Sequence, residues 1–119
     1  MRRDSGALSP KCPFCGAELK RPEPIPVGEG ESGQGGTCGC GAVYLMDPTG
    51  KNVGTIMVQV LGMAAEALSK RMEELLPDED YVDAILNYDW RTHRSYGVSA
   101  GYMDGYGRLY ILRVNKKTA

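Results

Sequence analysis

The chain has 119 residues, with 14 basic and 15 acidic side chains and a net charge of −1. That length suits one domain rather than two, and a chain this size buries roughly two-thirds of its unfolded surface. The balanced charge argues against general nucleic-acid affinity and against an acidic tail, and no apolar run approaches the ~18 residues needed to span a membrane.

Met1-Arg2-Arg3-Asp4-Ser5-Gly6 opens basic with no apolar run behind it, which does not read as a secretion signal. Residues 1–10 are expected to be a flexible arm, and the expected compartment is the cytoplasm, where thiols stay reduced. Next come the residues with definite chemistry. All four cysteines lie in two close pairs, Cys12-Pro13-Phe14-Cys15-Gly16 and Cys38-Gly39-Cys40-Gly41. In a reducing compartment such pairs read as metal ligands rather than disulfides. Two converging pairs supply a tetrahedral thiolate site, for which zinc is the commonest occupant. The first turn places both sulfurs on one side, and Gly16 tolerates the left-handed conformation that ends it. Rubredoxin-like iron and a redox dithiol at Cys12/Cys15 are the competing readings.

This pattern resembles the zinc-ribbon group, whose members begin Cys-Pro-x-Cys-Gly and end with a second knuckle followed by Gly. Cys12 to Gly16 fits the first knuckle. Cys38-Gly39-Cys40 has one intervening residue where the group usually has two. The resemblance covers residues 10–46. It implies one structural zinc ion held by Cys12, Cys15, Cys38 and Cys40 with no open position. Zinc–thiolate binding in finger peptides is worth roughly 10–16 kcal/mol, more than this segment gains by burial. Stripping the metal is therefore expected to unfold residues 10–46.

Between the knuckles, Ala17 to Arg21 reads as extended, and alternating Pro22, Pro24 and Pro26 exclude a helix. Residues 28–36 contain five glycines and are expected to form a mobile loop. Gly28-Glu29-Gly30-Glu31-Ser32-Gly33 matches the letters of a dinucleotide fingerprint. That motif needs a strand before it and a helix N-terminus after it. Here prolines precede, a knuckle follows, and Glu29 and Glu31 repel phosphate. Ala42 to Met46 reads as a strand, and Asp47-Pro48-Thr49-Gly50 as a turn.

Residues 53–76 place Met57, Leu61, Ala64, Ala65, Leu68, Met72 and Leu75 at helical spacing. The expectation is one long helix, although 55–61 is β-branched enough to be a strand. Its first part is apolar all round, so Ile56, Val60 and Met63 are candidates for contact with a protein partner or a second copy. Pro77 ends it. Asp78 suits an N-cap, and Tyr81, Ala84, Ile85 and Tyr88 suggest a short second helix to about Asn87. Ser95 to Tyr102 and Arg108 to Asn115 read as a β-hairpin turning at Asp104-Gly105, with the last strand covered on both sides.

Charge is segregated: residues 51–89 carry three basic and eight acidic groups, and residues 90–119 six basic and one acidic. The basic end holds Trp90, Arg91, Arg94, Tyr106, Arg108, Arg113, Lys116 and Lys117, a mixture of aromatic platforms and cations suited to single-stranded nucleic acid. His93 is the only histidine. Asp89 stands four residues before it, but no nucleophile accompanies them. Asp78, Glu79, Asp80 and Asp83 lack the glycine and closing glutamate of a calcium loop.

The sequence thus predicts an α+β fold over 1–119. It comprises a zinc ribbon at 11–46, a helical part at 53–89 with a long and a short helix, and a C-terminal antiparallel hairpin at 94–115. The function expected is non-catalytic protein interaction around a structural zinc, with nucleic-acid binding as the alternative and no membrane association.

Overall fold

The computed structural model describes residues 9–28, 30–49, 52–98 and 107–115. Among these residues the elements are β1 (Glu23–Gly28), β2 (Glu31–Thr37), β3 (Val43–Asp47), α1 (Val53–Ala67), β4 (Tyr81–Asp89), β5 (Arg94–Val98) and β6 (Gly107–Val114), with a 3₁₀ turn at Met72–Glu74. The strands form one six-stranded sheet in the order β1-β2-β3-β6-β4-β5, every neighbouring pair antiparallel. β6 lies between β3 and β4, so those two run parallel and α1 is the crossover between them.

Both faces of the central strands are covered. Along β6, Tyr110 and Leu112 face α1, and Leu109 and Ile111 face the opposite side, all four buried. The α1 side gathers Val27, Leu45, Ile56, Val60, Ala64, Ala65, Leu75 and Tyr81 around them. The other side packs Tyr44, Leu86 and Tyr88 against Cys12 and Leu19 of the N-terminal segment. Each large aliphatic residue buried this way contributes about 1.5–3 kcal/mol. The Tyr110 hydroxyl is not stranded, because it donates to Asp83 Oδ2 at 2.6 Å. Burial, and then that carboxylate, push the Tyr110 phenol above its ordinary range.

The architecture corrects the predicted helical layout. Only 53–67 of the expected long helix is α-helical. Ser69 takes a left-handed conformation (φ 55°), Lys70 N–H donates to the Ala65 carbonyl at 2.9 Å, and Ser69 N–H donates to Glu66 at 3.1 Å. These two bonds form the Schellman closure that glycine usually makes. Lys70 then reaches both carboxylate oxygens of the buried Asp80, at 3.0 and 3.1 Å. Leu68 and Leu75 still pack on the core, which is why the helical spacing outlasts the helix.

The expected short helix is instead strand β4. Asp78 is not a helix cap but a turn residue at φ 70°, and Tyr81 to Tyr88 pair along β6 from Val114 to Gly107. A strand covered on both faces shows no clean alternation, so its apolar positions imitate helical spacing. The C-terminal hairpin is also absent as such, since β5 pairs with β4, and β4 separates it from β6. The expected turn at Asp104-Gly105 lies outside the described residues.

The glycine-rich segment expected to be a loop is strand β2. Its glycines make room for the neighbouring strand. Gly36 is the register partner of Tyr44, and a Cβ there would lie 2.7 Å from the Tyr44 hydroxyl oxygen. The fingerprint-like glycines therefore span the β1–β2 hairpin, not a strand-to-helix turn. β1 occupies the sheet edge, the one setting in which Pro24 and Pro26 cost no ladder bond. Pro10 is buried rather than part of a free arm, and its carbonyl accepts Leu19 N–H at 2.9 Å.

Candidate metal centre

The second cysteine pair is the β2–β3 connection itself. Thr37 pairs with Val43, and the five residues between them carry Cys38 and Cys40 on a turn closed by Gly41 N–H to the Cys38 carbonyl at 2.9 Å. The first pair sits on a miniature hairpin. Lys11 bridges Glu18, Cys12 N–H donates to the Ala17 carbonyl at 2.8 Å, and Gly16 N–H donates back to Cys12 at 2.8 Å. Both turns close on glycine in a conformation L side chains rarely adopt, Gly16 at φ 82° and Gly41 at φ 100°. The sequence lays this small hairpin on the sheet because Cys12 and Leu19 are the apolar residues that fill the face opposite α1.

The four Sγ atoms lie within 4.8 Å of one another. Two approaches run between the turns, Cys12 to Cys40 at 3.7 Å and Cys15 to Cys38 at 3.5 Å. A regular tetrahedron with metal–sulfur bonds of about 2.3 Å has edges of about 3.8 Å. The cluster is therefore the size of a metal-centred thiolate site. Phe14 and Cys15 N–H groups point at the Cys12 sulfur, Cys40 N–H at Cys38, and Ala42 N–H at Cys40. These dipoles stabilise thiolate charge. Cys12 is buried and Cys15 exposed, so one ligand anchors the centre in the core and another faces solvent.

The thiols themselves are held unequally. Burial pushes Cys12 up to about 12. For Cys40, burial also raises the thiol, but the Ala42 N–H and the neighbouring thiols outweigh it and bring it down to about 7. A divalent metal must therefore displace protons, the one on Cys12 among them. The sign follows: affinity falls as pH falls, because protons compete for the same sulfurs. Calorimetry of metal loading near pH 7.5 in buffers of different ionisation enthalpy is expected to show net proton release. Buffer-independent enthalpies contradict this.

Three consecutive residues fasten the knuckle arm to the sheet. His93 Nε2 donates to the Leu19 carbonyl at 2.9 Å, and its Nδ1 accepts from the Tyr88 hydroxyl at 2.7 Å. Tyr44 donates to the Lys20 carbonyl at 2.8 Å. Arg21 donates to the Trp90 carbonyl at 3.1 Å. Burial raises the phenols of both tyrosines, Tyr88 to about 12, so they act as donors at neutral pH. His93 spends both ring nitrogens in this stitch, which makes it a fastener rather than a general base. Replacing it with alanine leaves the fully buried Tyr88 hydroxyl without its partner. His93→Ala is expected to cost about 1–3 kcal/mol in a urea melt while the four cysteines still bind metal. An unchanged melt contradicts the stitch.

The other expected site residues are dispersed. Ile56 and Val60 are buried in the chain's own core and Met63 packs against it, so this face of α1 is turned toward the sheet. Trp90 and Arg91 lie together in the β4–β5 turn, the guanidinium 5.4 Å from the ring centroid. Arg94 opens β5 opposite Asp89. Arg113 stacks on Phe14 of the first knuckle at 5.3 Å, and Arg108 pairs in register with Asp47 and Asn87. The basic set is therefore split among three places. Tyr106, Lys116 and Lys117 lie outside the described residues. Two features escaped the sequence reading. Arg21 joins Trp90 from 69 residues away, which no local signal announces. A cleft of about 760 Å³ opens between Cys40, the α1 end at Leu68, and Arg113 to Asn115.

Among the described residues no helix is long and apolar enough to cross a membrane. No family model matches this chain, and neither a curated protein nor a solved structure matches it.

Proposed function

We propose that this chain is a zinc protein whose metal is structural and whose work is non-catalytic binding. The observation that carries the reading is the closed cluster of four sulfurs from Cys12, Cys15, Cys38 and Cys40. An all-thiolate set favours zinc or iron over hard cations. Four protein ligands leave no position for a substrate or a water nucleophile. The centre joins the N-terminal arm to the β2–β3 turn, and so fixes that arm across the face opposite α1.

Elemental analysis of the purified chain is expected to find about one zinc per chain. Iron at that stoichiometry, with visible thiolate-to-iron absorption, would replace the zinc assignment. Metal binding that survives loss of all four cysteines would overturn the site.

Binding to a protein partner or a second copy through α1 has lost its main support, because Ile56 and Val60 are used internally. The exposed large apolar side chains among the described residues are Val58, Met72, Leu76 and Trp90. Scattered exposed residues of this kind need no partner. Trp90 differs from the others in its company, since Arg91 lies over its ring and Arg21, from a distant segment, bonds its carbonyl. That observation favours the second reading, recognition of nucleic acid.

A further inference from the structure

The geometry points to a binding surface for single-stranded nucleic acid at the corner where the arm that carries the first cysteine pair meets the β4–β5 turn, built from Arg21, Trp90, Arg91 and Arg94. This rests on the reading of the metal as structural, because the metal holds Arg21 in place.

Trp90 remains 42 % exposed, and its backbone is gripped from below by Arg21. Arg91 lies over the ring. Arg21, Arg91 and Arg94 are exposed. Among the described residues no ion pair engages Arg21, Arg91 or Arg94. The acid of the turn, Asp89, accepts the Arg91 backbone N–H at 3.0 Å and stands opposite Arg94 in register, so it offsets one of the three positive charges. The corner therefore presents an exposed aromatic ring in the company of three guanidinium groups and one carboxylate, a local excess of positive charge on a chain that is otherwise slightly acidic.

An exposed indole among guanidinium groups matches a strand whose bases are free to stack and whose phosphates run alongside. A duplex keeps its bases within the stack and offers this ring nothing to stack on. An acidic peptide would satisfy the cations but not the ring. The arm and the turn are far apart in sequence and are joined by the Leu19–Arg21 stitch, so the surface exists only while the arm is docked. Metal binding and nucleic-acid binding are coupled through that segment.

Trp90 is the only tryptophan, so its fluorescence reports stacking directly. The metal-loaded full chain is titrated with a twelve-nucleotide oligothymidylate, with heparin and with phosphatidylglycerol vesicles as parallel arms. Saturable quenching by the oligonucleotide is expected. With about three phosphates engaged, affinity should fall on the order of 20-fold between 50 and 200 mM salt. Trp90→Ala, followed by anisotropy of a labelled strand, should weaken binding roughly 5- to 100-fold. Arg21→Ala should weaken it several-fold, and chelated protein should lose more than Arg21→Ala alone.

Binding unchanged by Trp90→Ala overturns the proposal. So does heparin quenching to the same extent as the oligonucleotide, or a preference for the vesicles. Metal content and circular dichroism are measured on each sample. A folded chain with one metal and no oligonucleotide binding sinks the surface and leaves the metal reading intact. A chain without metal sinks the metal reading first.

Discussion

Cys12→Ser is expected to abolish metal binding and to release residues 10–21 from the sheet while β3, β4 and β6 stay folded. Ordering backbone costs roughly 1–2 kcal/mol per residue, and a hydrogen bond returns about 1 kcal/mol net. The three bonds at Leu19, Lys20 and Arg21 cannot hold a segment of that length, even with Leu19 buried. A metal ion on the four sulfurs would close the gap, since binding to four thiolates is worth roughly 10–16 kcal/mol in small zinc domains. The central strands do not share this dependence, because α1 covers one of their faces and Leu109 and Ile111 are packed from neighbouring strands on the other. Amide exchange is expected to show protection lost over 10–21 and 38–42 and retained at Tyr110 to Leu112. Intact protection of the arm in the metal-free variant contradicts the staple, and global unfolding contradicts the independence of the sheet.

Gly35→Ala is expected to be the most damaging of the glycine changes. A Cβ at Gly35 would lie 1.9 Å from the Tyr44 carbonyl oxygen and 2.9 Å from Leu45 Cδ2. The first neighbour is backbone, so the β2–β3 pairing itself must move. That pairing has three register partners, Gly35 with Leu45, Gly36 with Tyr44 and Thr37 with Val43, and Cys38 follows directly. Overpacking of this kind costs about 1–3 kcal/mol, a drop in Tm on the order of 5–15 °C. Metal affinity should fall with it, because the second knuckle is the turn of the same hairpin. Gly54→Ala is the control: nothing lies within 4 Å of a Cβ there, and an exposed helical glycine exchanged for alanine gains up to about 1 kcal/mol. Equal melting of the two variants would show that β2 does not need its glycine.

The convergence of the four cysteines was legible because its chemistry is local. Close cysteine pairs ending in glycine encode a turn that aims two sulfurs, and nothing distant is needed to read it. The last strand was legible for a similar reason, since Leu109 to Leu112 form a continuous apolar run suited to a strand buried on both faces. β4 also has buried residues on both faces but is less buried and less continuously apolar, and its Tyr81, Ala84, Ile85 and Tyr88 fit a helix equally well until β6 is placed beside it. β2 was hidden because its side of the packing is supplied by Tyr44 and Leu45. The glycines themselves carry no pattern. The end of α1 at Ser69 lacked the glycine that usually marks such a stop, and Lys70 is drawn out by Asp80, ten residues later. The corner at Trp90 draws Arg21 from the arm, a segment whose sequence reads only as a short extended piece after the first cysteine pair.

The central claim, a closed four-thiolate centre that staples the arm to the sheet, is tested most directly by X-ray absorption at the metal edge of the purified chain. The account predicts a single shell of about four sulfurs at about 2.3 Å and no oxygen or nitrogen ligand. A shell of two or three sulfurs completed by oxygen or nitrogen would contradict it and reopen the centre to chemistry.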